Sequence, residues 1–445
     1  MKKLVVLGAG ESGTGAAILG QRKGYHVFVS DFGTIAEKYK KVLSNNDIKY
    51  EEGKHTELEI LSADLIIKSP GIPGHVPLLQ KAKNKNISII SEIEFAWRYT
   101  QAKLICITGS NGKTTTASLI YQVFKEAGIH VGLAGNIGKS FAWSVAEDNY
   151  STYVLEISSF QLDDMYEFKA HIAIITNITP DHLDRYNNSF ENYAKAKFRI
   201  LQNMTTSDYL IYNADDAVIT AGLEKRKTNV QLRPFSLYQK PKGDGAYILD
   251  HKIIIQNKKD DFIMTLRSLA LQGKHNTYNT MAAGIASRLM NIRNKNLKDS
   301  LSEFQALPHR MEKVATIGGI EYINDSKATN VNSTYFALES INKPIIWIAG
   351  GKDKGNNYKT IEKLIQSKVK AIVCMGLNNT AIHEAFGKYI PTIIDTFSAE
   401  EAVEAAQRIA DIDDVVLLSP ACASFDLFDS YEDRGDKFKA AVNQL

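Results

Sequence analysis

At 445 residues the chain exceeds one ordinary domain, and about 100–200 residues per domain predicts two to four domains, with three as the working number. Hydrophobic residues make up 44% and charged residues 23% of the sequence, a balance typical of a soluble globular protein rather than a disordered or fibrous one. The 53 basic and 50 acidic residues leave a formal net charge of +3, which is too small to indicate nucleic acid or an anionic membrane as a partner.

The first residues, MKKLVVLGAG, join two lysines to an apolar run that stops at Gly8. A secretory signal needs roughly 7–15 apolar residues, so we expect a first strand here. Elsewhere the sequence lacks the ~20 apolar residues of a membrane span, and we expect no membrane insertion. Cys106, Cys374 and Cys422 are widely separated and odd in number, which is not typical of a disulfide framework or a zinc site. The predicted location is the cytoplasm.

Short runs of Val, Ile and Leu alternate with amphipathic stretches of helix length, a pattern that predicts an α/β fold with mainly parallel sheets. Residues 1–100 are predicted to form a Rossmann-like domain. It opens with the strand KLVVLGAG, a helix from about Gly13 to Lys23 and a strand ending at Asp31. The run SPGIP, from Ser69 to Pro73, cannot continue a strand, so we expect a loop beyond a strand's carboxyl end.

The turn GAGESG, Gly8 to Gly13, fits the dinucleotide pattern G-x-G-x-x-G, and Asp31 stands about where a ribose-binding carboxylate belongs. The pyrophosphate of another nucleotide, such as a uridine diphosphate, would fit the same turn. A tight strand-to-helix turn without a ligand is also compatible with these residues. The pattern alone leaves these three interpretations open.

A second predicted domain, residues 101–305, has a mainly parallel sheet and opens with the strand LICIT and the turn GSNGKTTT. Gly109 and Gly112 enclose two residues, whereas the usual phosphate-binding loop has four between its first glycine and Gly-Lys. The turn still offers close backbone approach and the positive end of a helix. Lys113 would contact phosphates and Thr114 would ligate Mg²⁺, and an ordinary helix start with capping threonines is the alternative.

Polar residues end two later strands of this domain. Glu156 in LEISSFQL and His182 in TPDHLDRY could each be a capping or turn residue, but with Thr114 they form a plausible set of Mg²⁺ ligands. Lys197 lies near Lys195 in the helical stretch FENYAKAKFRIL, which from the residues alone indicates a solvent-exposed helix face. A further helix is predicted to start at Asn276 or Thr277.

The third predicted domain, residues 306–445, is also Rossmann-like. Its strands are followed by NDSKATN, GGKDKG and SPACASFD, each of which would be an ordinary surface loop if taken alone. Three such loops at one edge of a sheet indicate a site that binds carboxylates. We expect this domain to move about hinges near Ala306 and Leu307 when substrates bind.

The motifs TGSNGKTT, LEISSFQL, TPDHLDRY, GKHNTYN, LPHRME, NDSKATN, GGKDKG and SPACASFD, in this order, resemble the Mur ligase family along nearly the whole chain. SPGI, LEISSFQL and SPACASFD resemble its D-glutamate-adding member in particular. The resemblance implies an ATP-dependent amide ligase of peptidoglycan precursor synthesis that adds D-glutamate to UDP-N-acetylmuramoyl-L-alanine. An acyl phosphate and a tetrahedral intermediate are implied, with release of ADP and phosphate.

The resemblance also implies a role for individual positions. The residues implied in catalysis are Lys113, Glu156, His182, Lys197, Lys327 and Lys354. Those implied in ATP binding are Gly109, Ser110, Asn111, Gly112, Lys113, Thr114, Thr115, Asn276, Asn279, Arg310 and Asp325. Those implied in binding the UDP-linked substrate are Gly10, Glu11, Ser12, Asp31, Ser69, Gly71, Asn136, Ser158 and His182. Those implied in binding D-glutamate are Thr329, Lys354, Ser424 and Tyr431.

Two Mg²⁺ ions are implied as cofactors, held by Thr114, Glu156, His182 and Lys197, the last as a carbamate made with CO₂. The partners are small molecules, without nucleic acid, and the enzyme is expected to be a monomer. Phe32 and Gly33 follow Asp31 where some members carry polar or basic uridine contacts, so the uridine end would depend on Asp31 and backbone amides.

Two other functions were compared with the ligase. An NAD-dependent oxidoreductase would use the GAGESG turn and Asp31, but it leaves Lys113, Glu156 and the third domain without a task. A nucleotide-binding protein without catalysis would retain the same phosphate turn, although intact metal and phosphate groups argue against a loss of activity.

Overall fold

The computed structural model describes residues 1–257, 260–271, 273–304 and 308–445. The chain divides into two compact units, Met1–Phe304 and Gln305–Leu445. Within the described residues, no helix combines the length and the apolar character needed to cross a membrane.

The first sheet of unit 1 is five-stranded and parallel, with the order β3-β2-β1-β4-β5. Its strands are β1 Lys3–Leu7, β2 His26–Ser30, β3 Lys49–Glu51, β4 Leu65–Lys68 and β5 Ser88–Ile90. Its helices are α1 Glu11–Arg22, α2 Glu37–Asn45, α3 Glu57–Ile60, α4 Pro77–Asn84 and α5 Glu92–Trp97. Leu4 and Val6 pack into one hydrophobic cluster and Val5 and Leu7 into another, so helices cover both faces.

The second sheet of unit 1 joins nine described strands in the order β14-β13-β12-β11-β10-β9-β6-β8-β7. They are β6 Lys103–Thr108, β7 Val131–Gly135, β8 Thr152–Glu156, β9 Ile172–Ile175, β10 Tyr209–Asn213, β11 Gln231–Ser236, β12 Gly245–Leu249, β13 Lys252–Gln256 and β14 Phe262–Thr265. The helices are α6 Lys113–Glu126, α7 Phe141–Glu147, α8 Ser159–Asp163, α9 Phe190–Phe198, α10 Ala217–Glu224, α11 Lys274–Leu289 and α12 Asn294–Glu303. Short 3-10 helices lie at Leu183–Tyr186, Arg199–Leu201 and Leu266–Ser268. The strands from β6 to β12 are parallel, and β13 and β14 add antiparallel pairs.

Unit 2 contains the third sheet, with the order β15-β16-β20-β17-β18-β19. Its strands are β15 Glu312–Ile317, β16 Ile320–Asn324, β17 Ile345–Ala349, β18 Val369–Met375, β19 Ile393–Thr396 and β20 Val415–Leu418. Its helices are α13 Val331–Ser340, α14 Glu362–Lys368, α15 Thr380–Phe386, α16 Ala399–Ile409 and α17 Tyr431–Val442, with a 3-10 helix at Tyr358–Thr360. The strands are parallel except for β15, which runs antiparallel to β16.

These sheets confirm the predicted α/β class, while several element ends differ from the prediction. Helix α1 begins at Glu11 rather than Gly13, and α11 begins at Lys274 rather than in the range 276–277. Strand β2 ends at Ser30 rather than at Asp31, whose carboxylate oxygens accept hydrogen bonds from Ala9 N and Gly33 N. The predicted boundary after residue 100 falls between α5 and β6, inside unit 1. The predicted hinge at 306–307 lies outside the described residues, and the three-domain division stays a prediction.

Candidate active site

The shortened turn after β6 depends on its two glycines. Gly109 has a φ of 149° and Gly112 a φ of 82°, values that residues with a Cβ rarely adopt. Space is also restricted, since a Cβ at Gly109 would overlap the hydroxyl of Thr176 and one at Gly112 would overlap the amide oxygen of Asn279. The turn therefore requires glycine at both positions for conformation and for space.

Polar residues that follow β9 hold this turn in place. Ser110 N donates to Asn177 O at 2.8 Å, and Asn111 N donates to Asn177 Oδ1 at 2.9 Å. Thr176 Oγ1 donates to Asn111 O at 2.6 Å. These contacts fix the backbone of the shortened turn against the segment that follows β9.

The turn leads directly into the positive end of α6. Lys113 is the first residue of this helix, and its Nζ donates to the carbonyls of Gly109 and Ser110, both at 2.9 Å. Thr114 and Thr115 are buried in the first turn. Backbone amides, an ammonium and hydroxyls at a helix N-terminus form a suitable site for a phosphate.

A cavity of about 280 Å³ lies beside this turn. It brings together six residues predicted from the sequence, Gly71, Lys113, Asn136, Ser158, His182 and Lys197. Its remaining lining residues are Pro70, Ser159, Phe160, Asp181 and Tyr193. Segments far apart in sequence thus meet in one place, because β4, β6, β7 and β8 all end near it.

Glu156, the last residue of β8, is 3% exposed. Its Oε1 accepts a hydrogen bond from Asn136 Nδ2 at 3.0 Å. Its buried Oε2 has no hydrogen-bond partner among the described residues. A buried carboxylate oxygen without a partner is costly, and a hard cation compensates it, so the residues present fit Mg²⁺.

Lys197 is 2% exposed, and its Nζ donates to Gly109 O at 2.7 Å. The same ammonium lies 4.5 Å from the ring centroid of Tyr193. Burial, reinforced by the adjacent Lys113 charge and opposed by nearby carboxylates, holds the pKa of Lys197 well below its usual range. The expectation of a solvent-exposed lysine is therefore wrong for Lys197.

That expectation holds for Lys195, whose side chain is 60% exposed and pairs with Glu191 at 2.8 Å. Helix α9 buries the face that carries Tyr193, Ala196 and Lys197. The two lysines differ because they lie on different faces of the same helix.

His182 follows β9 in a left-handed conformation, with a φ of 51°. Its ring lies edge-on to Phe160, with centroids 5.2 Å apart, and its Nε2 is 3.7 Å from Asp181 Oδ2. Strained backbone of this kind is often found in functional sites.

One predicted ATP-binding residue of α11, Asn279, reaches the phosphate turn, and a second, Asn276, contacts Asn279. Asn279 Oδ1 accepts a hydrogen bond from Thr116 Oγ1 at 3.2 Å, and its Nδ2 lies 3.4 Å from Asn276 Oδ1. Asn279 also occupies the space beside Gly112. The structure therefore brings α11 to the edge of the turn.

At the predicted binding site for the uridine diphosphate, the carboxylate of Asp31 stabilises the local backbone. Asp31 Oδ2 accepts from Ala9 N at 2.7 Å, and Asp31 Oδ1 accepts from Gly33 N at 2.8 Å. Gly10 precedes α1, whose first residues are Glu11 and Ser12. Asp31 thus stabilises the GAGESG turn, and it can also contact a ligand because it is half-buried.

Two other predicted residues connect neighbouring elements at this end. Ser69 Oγ donates to Gly8 O at 3.4 Å. Glu11 Oε1 accepts from Ser140 N at 3.3 Å, at the start of α7. The GAGESG turn therefore contacts both the SPGIP loop and α7.

In unit 2, polar residues lie at the ends of parallel strands. Asp325 follows β16, and its Oδ2 accepts from Ser419 Oγ, which follows β20, at 2.9 Å. Burial raises the pKa of Asp325 to about 7, although Ser419 and Arg310 oppose the shift. The buried Nε of Arg310 has no hydrogen-bond partner among the described residues, so it can donate to a ligand.

Other predicted residues lie in the same loops of unit 2. Lys327 Nζ is 4.9 Å from the ring centroid of Tyr431, and Thr329 N donates to Lys327 O at 3.0 Å. Ser424 is buried, whereas Lys354 is exposed. The structure brings Lys327 and Tyr431 into contact, and the shared role of the set stays a prediction.

Three family models match successive parts of the chain. The MurD N-terminal domain matches residues 3–77, the Mur ligase middle domain 107–287 and the Mur ligase glutamate ligase domain 309–422. A Bacteroides fragilis protein named UDP-N-acetylmuramoylalanine--D-glutamate ligase is 53% identical over 446 residues, covering 100% of both chains. The chain belongs to the Mur ligase family. A Christiangramia forsetii protein with the same name is 52% identical over 444 residues, again covering 100% of both chains.

Solved structures of other Mur ligases share this fold. UDP-N-acetylmuramate-alanine ligase MurC from Thermotoga maritima has a TM-score of 0.64 and 16% identity, covering 100% of both chains. MurF from Acinetobacter baumannii has a TM-score of 0.61 and 14% identity, covering 99% of this chain and 93% of that one. The predicted family is confirmed, and these matches give no support to an oxidoreductase or a non-catalytic nucleotide-binding protein.

In this Mur ligase, two cations that were not among the predicted site residues hold the SPGIP loop. Arg185 donates to Gly71 O at 3.1 Å and to Pro70 O at 3.3 Å, and its guanidinium lies 4.6 Å from the Phe160 ring centroid. Lys68 donates to Ile72 O at 2.9 Å and pairs with Asp164 at the same distance. Arg185 belongs to the TPDHLDRY motif, which is the signal that could have identified it.

Proposed function

We propose that this Mur ligase adds D-glutamate to UDP-N-acetylmuramoyl-L-alanine in peptidoglycan precursor synthesis, with conversion of ATP to ADP and phosphate. Identity of 53% along the whole chain to a relative named for this reaction carries the proposal. A phosphate turn and a buried lysine at one cavity, together with a buried carboxylate that has one oxygen without a partner among the described residues, support it chemically.

ATP binds at the turn that starts α6. The γ-phosphate replaces the loop carbonyls as the partner of Lys113, whose charge then offsets the negative charge of the transferring group. Thr114 and Glu156 hold Mg²⁺, which when bound neutralises phosphate charge. The contacts of Asn279 with the turn support a further role for α11 in nucleotide binding.

The UDP-linked substrate presents its terminal carboxylate in the cavity. One carboxylate oxygen attacks the γ-phosphorus, and the bond between that phosphorus and ADP breaks. The D-glutamate amine then attacks the acyl carbon and loses a proton, and phosphate leaves as the amide forms. Lys113 and His182 line this cavity and are suited to contact the reacting groups.

Lys197 acts as a carbamate in this proposal. Its neutral nitrogen adds to the carbon of CO₂, and the proton released goes to solvent, which converts an amine into an anionic oxygen ligand. The lowered pKa of Lys197 supports this addition because the neutral amine is the nucleophilic form. The carbamate and Glu156 together offer ligands for two Mg²⁺ ions.

D-glutamate binds to the loops of unit 2 that follow β16, β17 and β20. Lys327, Lys354 and the half-buried Arg310 supply positive charge for carboxylates and phosphate. Small molecules are the proposed partners, and the cytoplasmic location and monomeric state stay predictions.

The direct test measures phosphate release from ATP and Mg²⁺ with the UDP-linked substrate, with and without D-glutamate. We expect release that depends on both substrates and that L-glutamate does not support. Absence of that dependence would overturn the proposal, and turnover of a nicotinamide cofactor would favour the oxidoreductase instead.

A further inference from the structure

Unit 2 carries a cluster of metal-ligating side chains that includes none of the predicted site residues. Cys374 in β18 pairs in register with Asp395 in β19, and His383 lies on the intervening helix α15. One ligand atom from each of these three residues lies within 4.8 Å of the other two. Over the described ranges, no other group of three or more His, Cys, Asp or Glu side chains has this geometry.

Two of the three side chains already contact each other. His383 Nε2 lies 3.1 Å from both carboxylate oxygens of Asp395. Asn379 Nδ2 donates to Asp395 Oδ1 at 2.9 Å and to Gly376 O at 3.0 Å, which orients the carboxylate. An outer hydrogen bond of this kind is a regular feature of metal sites.

The cluster is open on one side. The side chains of His383 and Asp395 are 40% and 45% exposed, whereas Cys374 is fully buried beneath them. A cation can therefore approach from solvent through the imidazole and the carboxylate, with the sulfur as its innermost ligand.

We propose that Cys374, His383 and Asp395 bind a thiophilic divalent cation of the Zn²⁺ class, with a water molecule in the fourth position. One sulfur, one nitrogen and one oxygen ligand suit Zn²⁺ and do not suit Mg²⁺. The thiol binds as its thiolate, and its proton leaves to solvent.

The geometry requires a small adjustment. Metal–ligand distances of about 2.0–2.3 Å place tetrahedral ligands about 3.3–3.8 Å apart. The imidazole nitrogen and the carboxylate oxygens, 3.1 Å apart, must separate slightly, and any separation close to the 4.8 Å limit of the cluster must shorten by about an ångström. Rotation of the His383 side chain, which is 40% exposed, can adjust the position of its nitrogen.

Cobalt(II) is the probe, added to the full-length, reduced protein without ATP or Mg²⁺. A thiolate bound to Co²⁺ gives a charge-transfer band in the near ultraviolet, and oxygen ligands in unit 1 cannot produce it. We expect the band to saturate at one equivalent and to disappear when Zn²⁺ displaces Co²⁺. No band in the wild-type protein would overturn the proposal.

Variants assign the band to its ligands. Cys374→Ser should abolish it, and His383→Ala should weaken cobalt binding by more than about tenfold. Cys422→Ser, at a buried cysteine of the same unit, is the matched control and should retain the band. A band that survives Cys374→Ser or is lost in Cys422→Ser would contradict the assignment. Should Cys374→Ser fail to fold, unchanged cobalt affinity in His383→Ala would overturn the proposal by itself.

Discussion

Replacing Lys197 with alanine tests the most unusual part of the site. The amine is 2% exposed and donates to Gly109 O at 2.7 Å, close to the phosphate turn. Lys113 also donates to this carbonyl, at 2.9 Å, so the turn retains one donor after the substitution. We therefore expect the folded structure to survive and the chemistry to fail.

The expected loss of stability and the expected loss of kcat differ in size. Loss of one buried hydrogen bond costs about 1–3 kcal/mol of unfolding free energy. Loss of a group that stabilises transition-state charge costs about 10²–10³ in kcat, or about 3–4 kcal/mol. Lys197→Ala should thus show a fall in kcat larger than its loss of stability can explain.

The assay measures kcat and KM for ATP in Lys197→Ala and in the matched control Lys195→Ala. The control removes an exposed lysine paired with Glu191, two positions along the same helix, and should leave kcat unchanged. Short carboxylates such as acetate should partly restore Lys197→Ala by entering the space left by the carbamate. Full activity of the untreated variant would refute this role for Lys197.

Three further predictions concern other residues of unit 1. Glu156→Gln keeps the acceptor for Asn136 but loses the anionic oxygen, so kcat should fall about 10²–10³-fold at all Mg²⁺ concentrations. A curve of activity against Mg²⁺ concentration identical to that of the wild-type enzyme would contradict this. Gly112→Ala should raise the KM for ATP, whereas Gly128→Ala, with a similar φ of 80° but no neighbour within 4 Å among the described residues, should lower stability alone. Burial raises the pKa of Glu92 to about 8, so the folded protein holds a proton that the unfolded chain releases above about pH 4.5. Stability should therefore fall as pH rises from about 6 to 8, by about 2 kcal/mol, and urea unfolding of Glu92→Gln should show a flatter pH profile.

The fold could be predicted because buried parallel strands appear as continuous apolar runs, and glycines and prolines mark the turns after them. Strand β1 shows this, since alternate residues fill clusters on its two faces. Gly109, Gly112 and Lys113 could be identified because phosphate binding needs these residue types next to one another.

Other features depend on contacts between distant segments. The burial of Lys197 follows from the packing of α9, which its local sequence does not reveal. Arg185 and Lys68 hold carbonyls of the SPGIP loop, and a carbonyl partner leaves no mark on the sequence. The predicted absence of a zinc site rested on cysteine spacing, but the proposed ligands of Cys374 are a histidine and an aspartate from other elements.

The most direct test of the central claim follows oxygen from the substrate carboxylate. The terminal carboxylate of UDP-N-acetylmuramoyl-L-alanine is labelled with ¹⁸O and converted in the presence of ATP and D-glutamate. Activation by phosphorylation predicts one ¹⁸O atom in each phosphate released and one in the new amide. Phosphate free of label alongside normal product formation would contradict the account.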